Sequence, residues 1–181
     1  MFENGEWKKY GKACKLLLRF EKIQGKRAKY MIAITKGIEL YDKQKYNHQE
    51  NNFFIKPACV DLNTFSKKNI NNIQLLSSLG LENKIVCVYA GKFGGIYYDQ
   101  EVFDFFKICE NHWGPKFRAL VLSSCSKSSI EEMTKDAQLN SQTIIHRFVK
   151  HTEIHNYIGL ADFAITPVKP VPSKKYCTPI K

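Results

Sequence analysis

A short glycine-bearing segment, Gly91-Lys92-Phe93-Gly94-Gly95, follows directly on the apolar run Val86-Cys87-Val88-Tyr89-Ala90. Glycines after a strand let backbone N–H groups approach an anion closely, and a helix beginning just beyond adds the partial positive charge of its N-terminus. That is phosphate-binding chemistry, with Gly91, Gly94 and Gly95 supplying the loop and Lys92 a cation. A second polar stretch follows Phe163-Ala164-Ile165-Thr166-Pro167 and holds Ser173 and Lys181, in the kind of connection that meets ligands. Plainer readings stand beside each residue. Paired glycines also make a tight turn, and lysines and polar loops are solvated by default. Glu153 and Asp162 read more simply as helix-end charges than as ligand contacts. His151 and His155 share a helix face at a spacing of four, but no third ligand is near and no metal site is assigned.

These residues need elements to hold them. Apolar periodicity predicts helices over 7–29, Lys36–Tyr46 and Ser66–Leu79, the last stopped by Gly80. Further helices are predicted over Asp99–Cys109, Ser128–Leu139 and Glu153–Leu160. Short apolar runs predict strands at Tyr30–Ile34, Phe53–Ile55, Lys84–Ala90, Phe117–Ser123, Thr143–Phe148 and Phe163–Thr166. From about residue 66 strands alternate with helices, which predicts an α/β fold: a Rossmann-like parallel sheet with flanking helices. Residues 1–60 offer too few elements to close a core alone, and the expected division of the chain is 1–65 and 66–181.

Hydrophobic residues make up 44% and charged residues 25%, which suits a soluble globular protein, and no apolar run approaches the ~20 residues of a membrane span. The six cysteines include no Cys-x-x-Cys pair, and several lie in apolar runs as buried free thiols do, so the chain reads as a reduced, cytoplasmic protein without a disulfide or zinc framework. Net charge is +11, and residues 1–45 hold 12 Lys/Arg against 5 Asp/Glu. That basic third suits phosphorylated small molecules, an anionic membrane surface touched peripherally by the region 7–29, or nucleic acid. It also suits a lysine-rich solvated helix face. No nucleic-acid motif is found and none is expected as a partner.

Four segments in order resemble the GT-B retaining glycosyltransferases, the group 1 or family-4-like glycosyl transferases. They are Phe54-Ile55-Lys56-Pro57-Ala58-Cys59-Val60-Asp61 with Phe65, then Val88-Tyr89-Ala90-Gly91-Lys92-Phe93-Gly94, then Glu153 through Pro167 with its Ala161-Asp162 pair, and Ser173 through Lys181. The sequence departs from the family at Cys59, where a glycine is usual, and at Ile96 and Tyr97, where a second cation is usual. The resemblance implies most of a donor-binding domain over 66–181 and a remnant of the acceptor-side domain over 1–65. It implies transfer of a sugar from a nucleotide-diphosphate sugar to a glycan or lipid-linked acceptor in cell-surface polysaccharide synthesis. No cofactor or metal is implied, and the donor or phosphate contacts fall on Gly91, Lys92, Gly94, Gly95, Ser173 and Lys181. The family's glutamate-bearing helix does not appear before Lys181, so a truncated chain is expected, inactive by itself, and the resemblance implies that the acid/base and acceptor residues belong to the rest of the acceptor-side domain, so no catalytic residue is named. The alternatives left open are a basic nucleic-acid-binding module and a non-catalytic nucleotide-binding remnant.

Overall fold

The computed structural model describes residues 11–47, 52–66 and 72–170. The described residues fall into two compact units, one formed by those up to Cys59 together with those from Lys169, the other by Val60–Val168.

The first unit contains α1 (Lys12–Arg27), β1 (Met31–Ala33), α2 (Lys36–Tyr46) and β2 (Phe53–Ile55). β1 and β2 pair in parallel with Ile32 opposite Phe54. The connection through α2 makes this a small β-α-β unit. Asn47 ends α2 in the left-handed conformation at φ +54°, its N–H bonded to Lys43 O at 3.0 Å. Asparagine tolerates that region better than most residues. Glu21 of α1 accepts the Tyr46 hydroxyl at 2.5 Å and lies 3.5 Å from Lys45 Nζ, which ties the two helices together.

The second unit contains α3 (Ile73–Ser78), β3 (Ile85–Ala90), α4 (Gln100–Trp113), β4 (Phe117–Leu122), α5 (Lys127–Asp136), β5 (Ile144–Arg147), α6 (Ile154–Ile158) and β6 (Phe163–Ala164). Its four strands run parallel in the order β5-β4-β3-β6. Counted within the unit this is 3-2-1-4, the opening of the doubly wound Rossmann arrangement. The parallel α/β expectation holds.

Alternation along β3 explains the layers. Cys87 and Tyr89 point into one core with Phe103, Phe106, Phe117 and Val121. Val86 and Val88 point into the opposite core with Leu81, Leu120 and Leu160. A strand covered on both faces reads as a continuous apolar run, and Val86–Tyr89 are all buried. Each fully buried phenylalanine contributes about 1.5–3 kcal/mol. Burial also pushes the Cys87 thiol up to about 12 and raises the Cys109 thiol, so both behave as apolar filler.

Element ends follow local chemistry. Asn72 caps α3 by accepting Leu75 N–H at 3.1 Å. Gly80, at φ +63°, then lets its own N–H reach Ser77 O and that of Leu81 reach Leu76 O, both at 3.0 Å, closing a Schellman end. α4 runs one turn beyond the expected Cys109, to Trp113, where Gly114 at φ +58° and Pro115 stop it. The final strand is shorter than Phe163–Thr166, with only Phe163 and Ala164 in the ladder.

Candidate functional site

The sheet order reverses between β3 and β6, because the chain builds outward through β4 and β5 and then returns to the other side of β3. Crevices outside the C-terminal strand ends at such a reversal are where open parallel sheets take ligands. The loop after β3 carries Gly91, Lys92, Gly94 and Gly95, and the chain after β6 carries Ile165–Val168. Tyr97 forms an antiparallel bridge with Val168, and Tyr98 N–H donates to Pro167 O at 3.3 Å. The two connections thus share one border of the crevice. A cavity of about 560 Å³ opens beside it, lined by Tyr98, Glu101, Phe105, Ile165, Thr166 and Pro167 among others.

The glycine loop is held firmly. Gly91 N–H donates to Leu122 O at 2.9 Å, extending the β3–β4 pairing by one residue. The Tyr89 hydroxyl donates to Lys92 O at 2.6 Å, and burial raises its pKa further above the ordinary tyrosine value. Phe93 turns inward and stacks on Tyr89 at 4.5 Å, with Phe103 at 5.4 Å. Lys92 therefore projects to solvent between two anchored neighbours. Gly94 and Gly95 have φ of +77° and +63°, and Tyr97 N–H closes on Gly94 O at 3.1 Å. The glycines do make a tight turn. A Cβ on Gly94 would have only Asp99 Oδ2 near, at 3.8 Å, so backbone conformation rather than space demands glycine there.

The helix beyond the loop differs from the expectation. The first turn of α4 is occupied by its own acids: Asp99 is the N-cap, its carboxylate accepting Gln100 N–H at 3.0 Å, and Glu101 follows. These carboxylates neutralise the positive end of the helix dipole, so that terminus is not an open anion receptor. Sequence reasoning missed this pair, although an aspartate just before an apolar-periodic segment is an N-cap signal. Ser173 and Lys181 lie outside the described residues.

Asp162 takes a role other than capping. Its Oδ2 accepts Val86 N–H at 2.7 Å while its own N–H donates to Val86 O at 3.0 Å. The side chain thus serves the start of β3 as a neighbouring strand would, and sets β6 in place. Asp61 organises the turn after β2: it accepts Asn63 N–H at 2.9 Å and the Thr64 hydroxyl at 2.6 Å. The Thr64 bond, followed by that from Asn63, lowers the Asp61 pKa. Phe65 ends the turn with its ring edge-on to His155 of α6, 6.1 Å between centroids. Among the described residues no group of three or more His, Cys, Asp or Glu side chains is placed to hold a metal.

Neither a family model nor a curated protein sequence matches the chain. Solved structures do. A glycosyltransferase from Rickettsia africae ESF-5 aligns with a TM-score of 0.59 at 12% identity, over 87% of this chain and 42% of that one. WaaG, a glycosyltransferase involved in lipopolysaccharide biosynthesis, aligns with a TM-score of 0.59 at 13% identity, over 76% of this chain and 37% of that one. The chain thus spans about two fifths of the length of the structures it matches. At such low identity the likeness speaks to architecture, and the architecture agrees with the strand order found above: the chain has the Rossmann-like parallel α/β fold of half a GT-B glycosyltransferase.

Proposed function

We propose that the chain is the donor-side part of a glycosyltransferase, with residues from about 66 onward binding the diphosphate of a nucleotide-sugar donor. The observation that carries this reading is the reversal between β3 and β6, which sets an anchored glycine loop beside the chain leaving β6 at the C-terminal edge of a sheet shared with solved glycosyltransferases. In this reading the backbone N–H groups of the loop and the exposed Lys92 meet the diphosphate, and Ser173 and Lys181 complete the donor contacts. Stabilising negative charge on the departing diphosphate is what lowers the barrier to sugar transfer. Asp99 and Glu101 face hydroxyls of the donor better than its phosphates, since carboxylates accept hydrogen bonds and repel anions. The acceptor is a glycan or lipid-linked sugar of cell-surface polysaccharide synthesis, and no cofactor is called for. The described cysteines are all free thiols, which supports a cytoplasmic setting.

Isothermal titration with uridine, guanosine and adenosine diphosphates tests the site. One of them should bind, and Lys92→Ala should weaken it by roughly 1–3 kcal/mol, the range for a charge-assisted contact. Gly94→Val should weaken it at least as much by straining the loop. Binding unchanged in both variants would leave the glycines as a turn only and remove the donor-site reading.

A further inference from the structure

Among the described strands, β5 ends the sheet on one side, since the order is β5-β4-β3-β6. Its inner side is paired: Ala119 N–H donates to Thr143 O at 2.8 Å and Ser123 N–H to Arg147 O at 3.1 Å. Ile145, midway between those two residues, faces β4 in the same way, because hydrogen-bonding direction alternates along a strand. Ile144 and His146 therefore turn their backbone N–H and C=O groups to the open side. The Arg147 guanidinium donates to His146 O at 2.9 Å, and a carbonyl oxygen can accept a second bond. Such a row of open backbone donors and acceptors is a template for another strand. A cavity of about 980 Å³ opens along it, lined by all four residues of β5. Lys127 and Lys135 of α5 stand on one wall and Leu79, at the end of α3, on the other. The two walls belong to opposite faces of the sheet, as Ile130 of α5 is buried in one core and Leu79 packs on the other. A slot between two helix layers, with a strand edge as its floor, has the shape that an extended chain fills.

The charges of the slot indicate which extended chain it takes. Arg118, Lys127, Lys135 and Arg147 line it against one carboxylate, that of Glu131. Glu131 lies 3.6 Å from Lys127 Nζ, and Lys135 has no ion pair among the described residues. The slot is therefore a positively charged groove, which attracts an anionic partner. A second copy of the chain would bring the same cations to the same edge, and like charges across paired strands repel. A nucleic acid would satisfy the cations but offers no backbone donors in register with the C=O groups of Ile144 and His146. An acidic polypeptide in extended conformation satisfies both the charges and the strand edge.

We propose that the open edge of β5 takes an acidic polypeptide segment as an added strand, its carboxylates meeting Lys127, Lys135 and Arg147. The proposal is independent of the donor site, because β5 is two strands away from β3 and none of these residues belongs to the glycine loop. Fluorescence anisotropy with a labelled peptide in which glutamate alternates with valine is the test, and the same peptide with lysine for glutamate is the control. The acidic peptide should bind and the basic one should not, and affinity should fall about tenfold or more as salt rises from low to several times physiological strength. Lys127→Gln with Lys135→Gln and Arg147→Gln should weaken binding about tenfold or more. Removing three lysines elsewhere, by Lys15→Gln, Lys22→Gln and Lys26→Gln, should leave most of it. N-methylation of the peptide's backbone nitrogens removes the donors that an added strand needs and should abolish binding. Hydrogen exchange supplies the local readout: the Ile144 and His146 amides should become protected by the peptide, while Ile145 and Arg147, already paired to β4, change little. Circular dichroism confirms folding, and Lys135→Gln alone stands in if the triple variant does not fold. No binding of the acidic peptide at millimolar concentration overturns the proposal, as does equal binding of the basic or the methylated peptide. Protection of Ile144 and His146 by a single-stranded oligonucleotide but not by the peptide overturns it, and so does a protein dimer that the triple variant dissolves with peptide binding untouched.

Discussion

Replacing Asp162 by alanine removes the acceptor for Val86 N–H without opening a cavity, because the aspartate side chain is itself exposed while Val86 is only 1% exposed. The cost is therefore the penalty of leaving a buried N–H without a partner, about 1–3 kcal/mol. Asp162→Asn retains an oxygen at the same reach and loses only the charge assistance, so it should cost less than about 1 kcal/mol. With a urea dependence of about 1–3 kcal/mol per molar, the alanine variant should unfold about 1 M earlier, at unchanged slope. Hydrogen exchange supplies the local reading. The Val86 amide should exchange faster in Asp162→Ala and stay protected in Asp162→Asn. If the alanine variant matches wild type in both measurements, or the asparagine variant is equally damaged, the carboxylate does not serve Val86 as a strand-like acceptor.

The remaining predictions concern the loop and the lower rim of the sheet. Asp99→Asn keeps an N-cap while removing the charge beside Gly94, so diphosphate affinity by calorimetry should rise several-fold, with stability within about 0.5 kcal/mol of wild type; unchanged affinity would place the anion away from this turn. Phe93→Ala should destabilise by about 2 kcal/mol in urea melts, below the ~3–5 kcal/mol of a fully buried phenylalanine because this ring is half-buried, and the cost should be absent if the stack on Tyr89 and Phe103 is unimportant. Glu110 is pushed up by burial, but Lys107 at 2.6 Å, the Thr143 hydroxyl and Asn140 N–H outweigh that and leave its pKa lowered. Its stabilisation is therefore complete above the ordinary glutamate value of 4.5 and is lost as pH falls through the lower folded value. Glu110→Gln should cost about 1–2 kcal/mol at neutral pH, with the gap from wild type closing in acid; a gap independent of pH would refute the charge argument.

Much of the fold was legible in the residues themselves, because periodicity is a local property. Lys36–Tyr46 and Phe53–Ile55 have the bounds that their pattern predicts, and Val86–Tyr89 announces a strand covered on both faces by being apolar throughout. The stop of α4 was also readable in Gly114-Pro115, although the apolar count alone placed it a turn too early. The glycine loop was visible as a loop, since Gly94 and Gly95 are the residues that a positive φ requires. Tertiary structure decided what periodicity cannot carry. Which strand neighbours β3 on its second side depends on pairing across more than seventy residues, and only that pairing turned Asp162 from a helix-end charge into the acceptor of Val86. The inward turn of Phe93 depends on the space between Tyr89 and Phe103. Likewise the sequence of α1 shows apolar residues among lysines, but docking one face against its own unit is what leaves Leu16, Leu17 and Phe20 facing water. An amphipathic pattern specifies that a face must be covered, and the packing of the rest of the chain determines which face remains open.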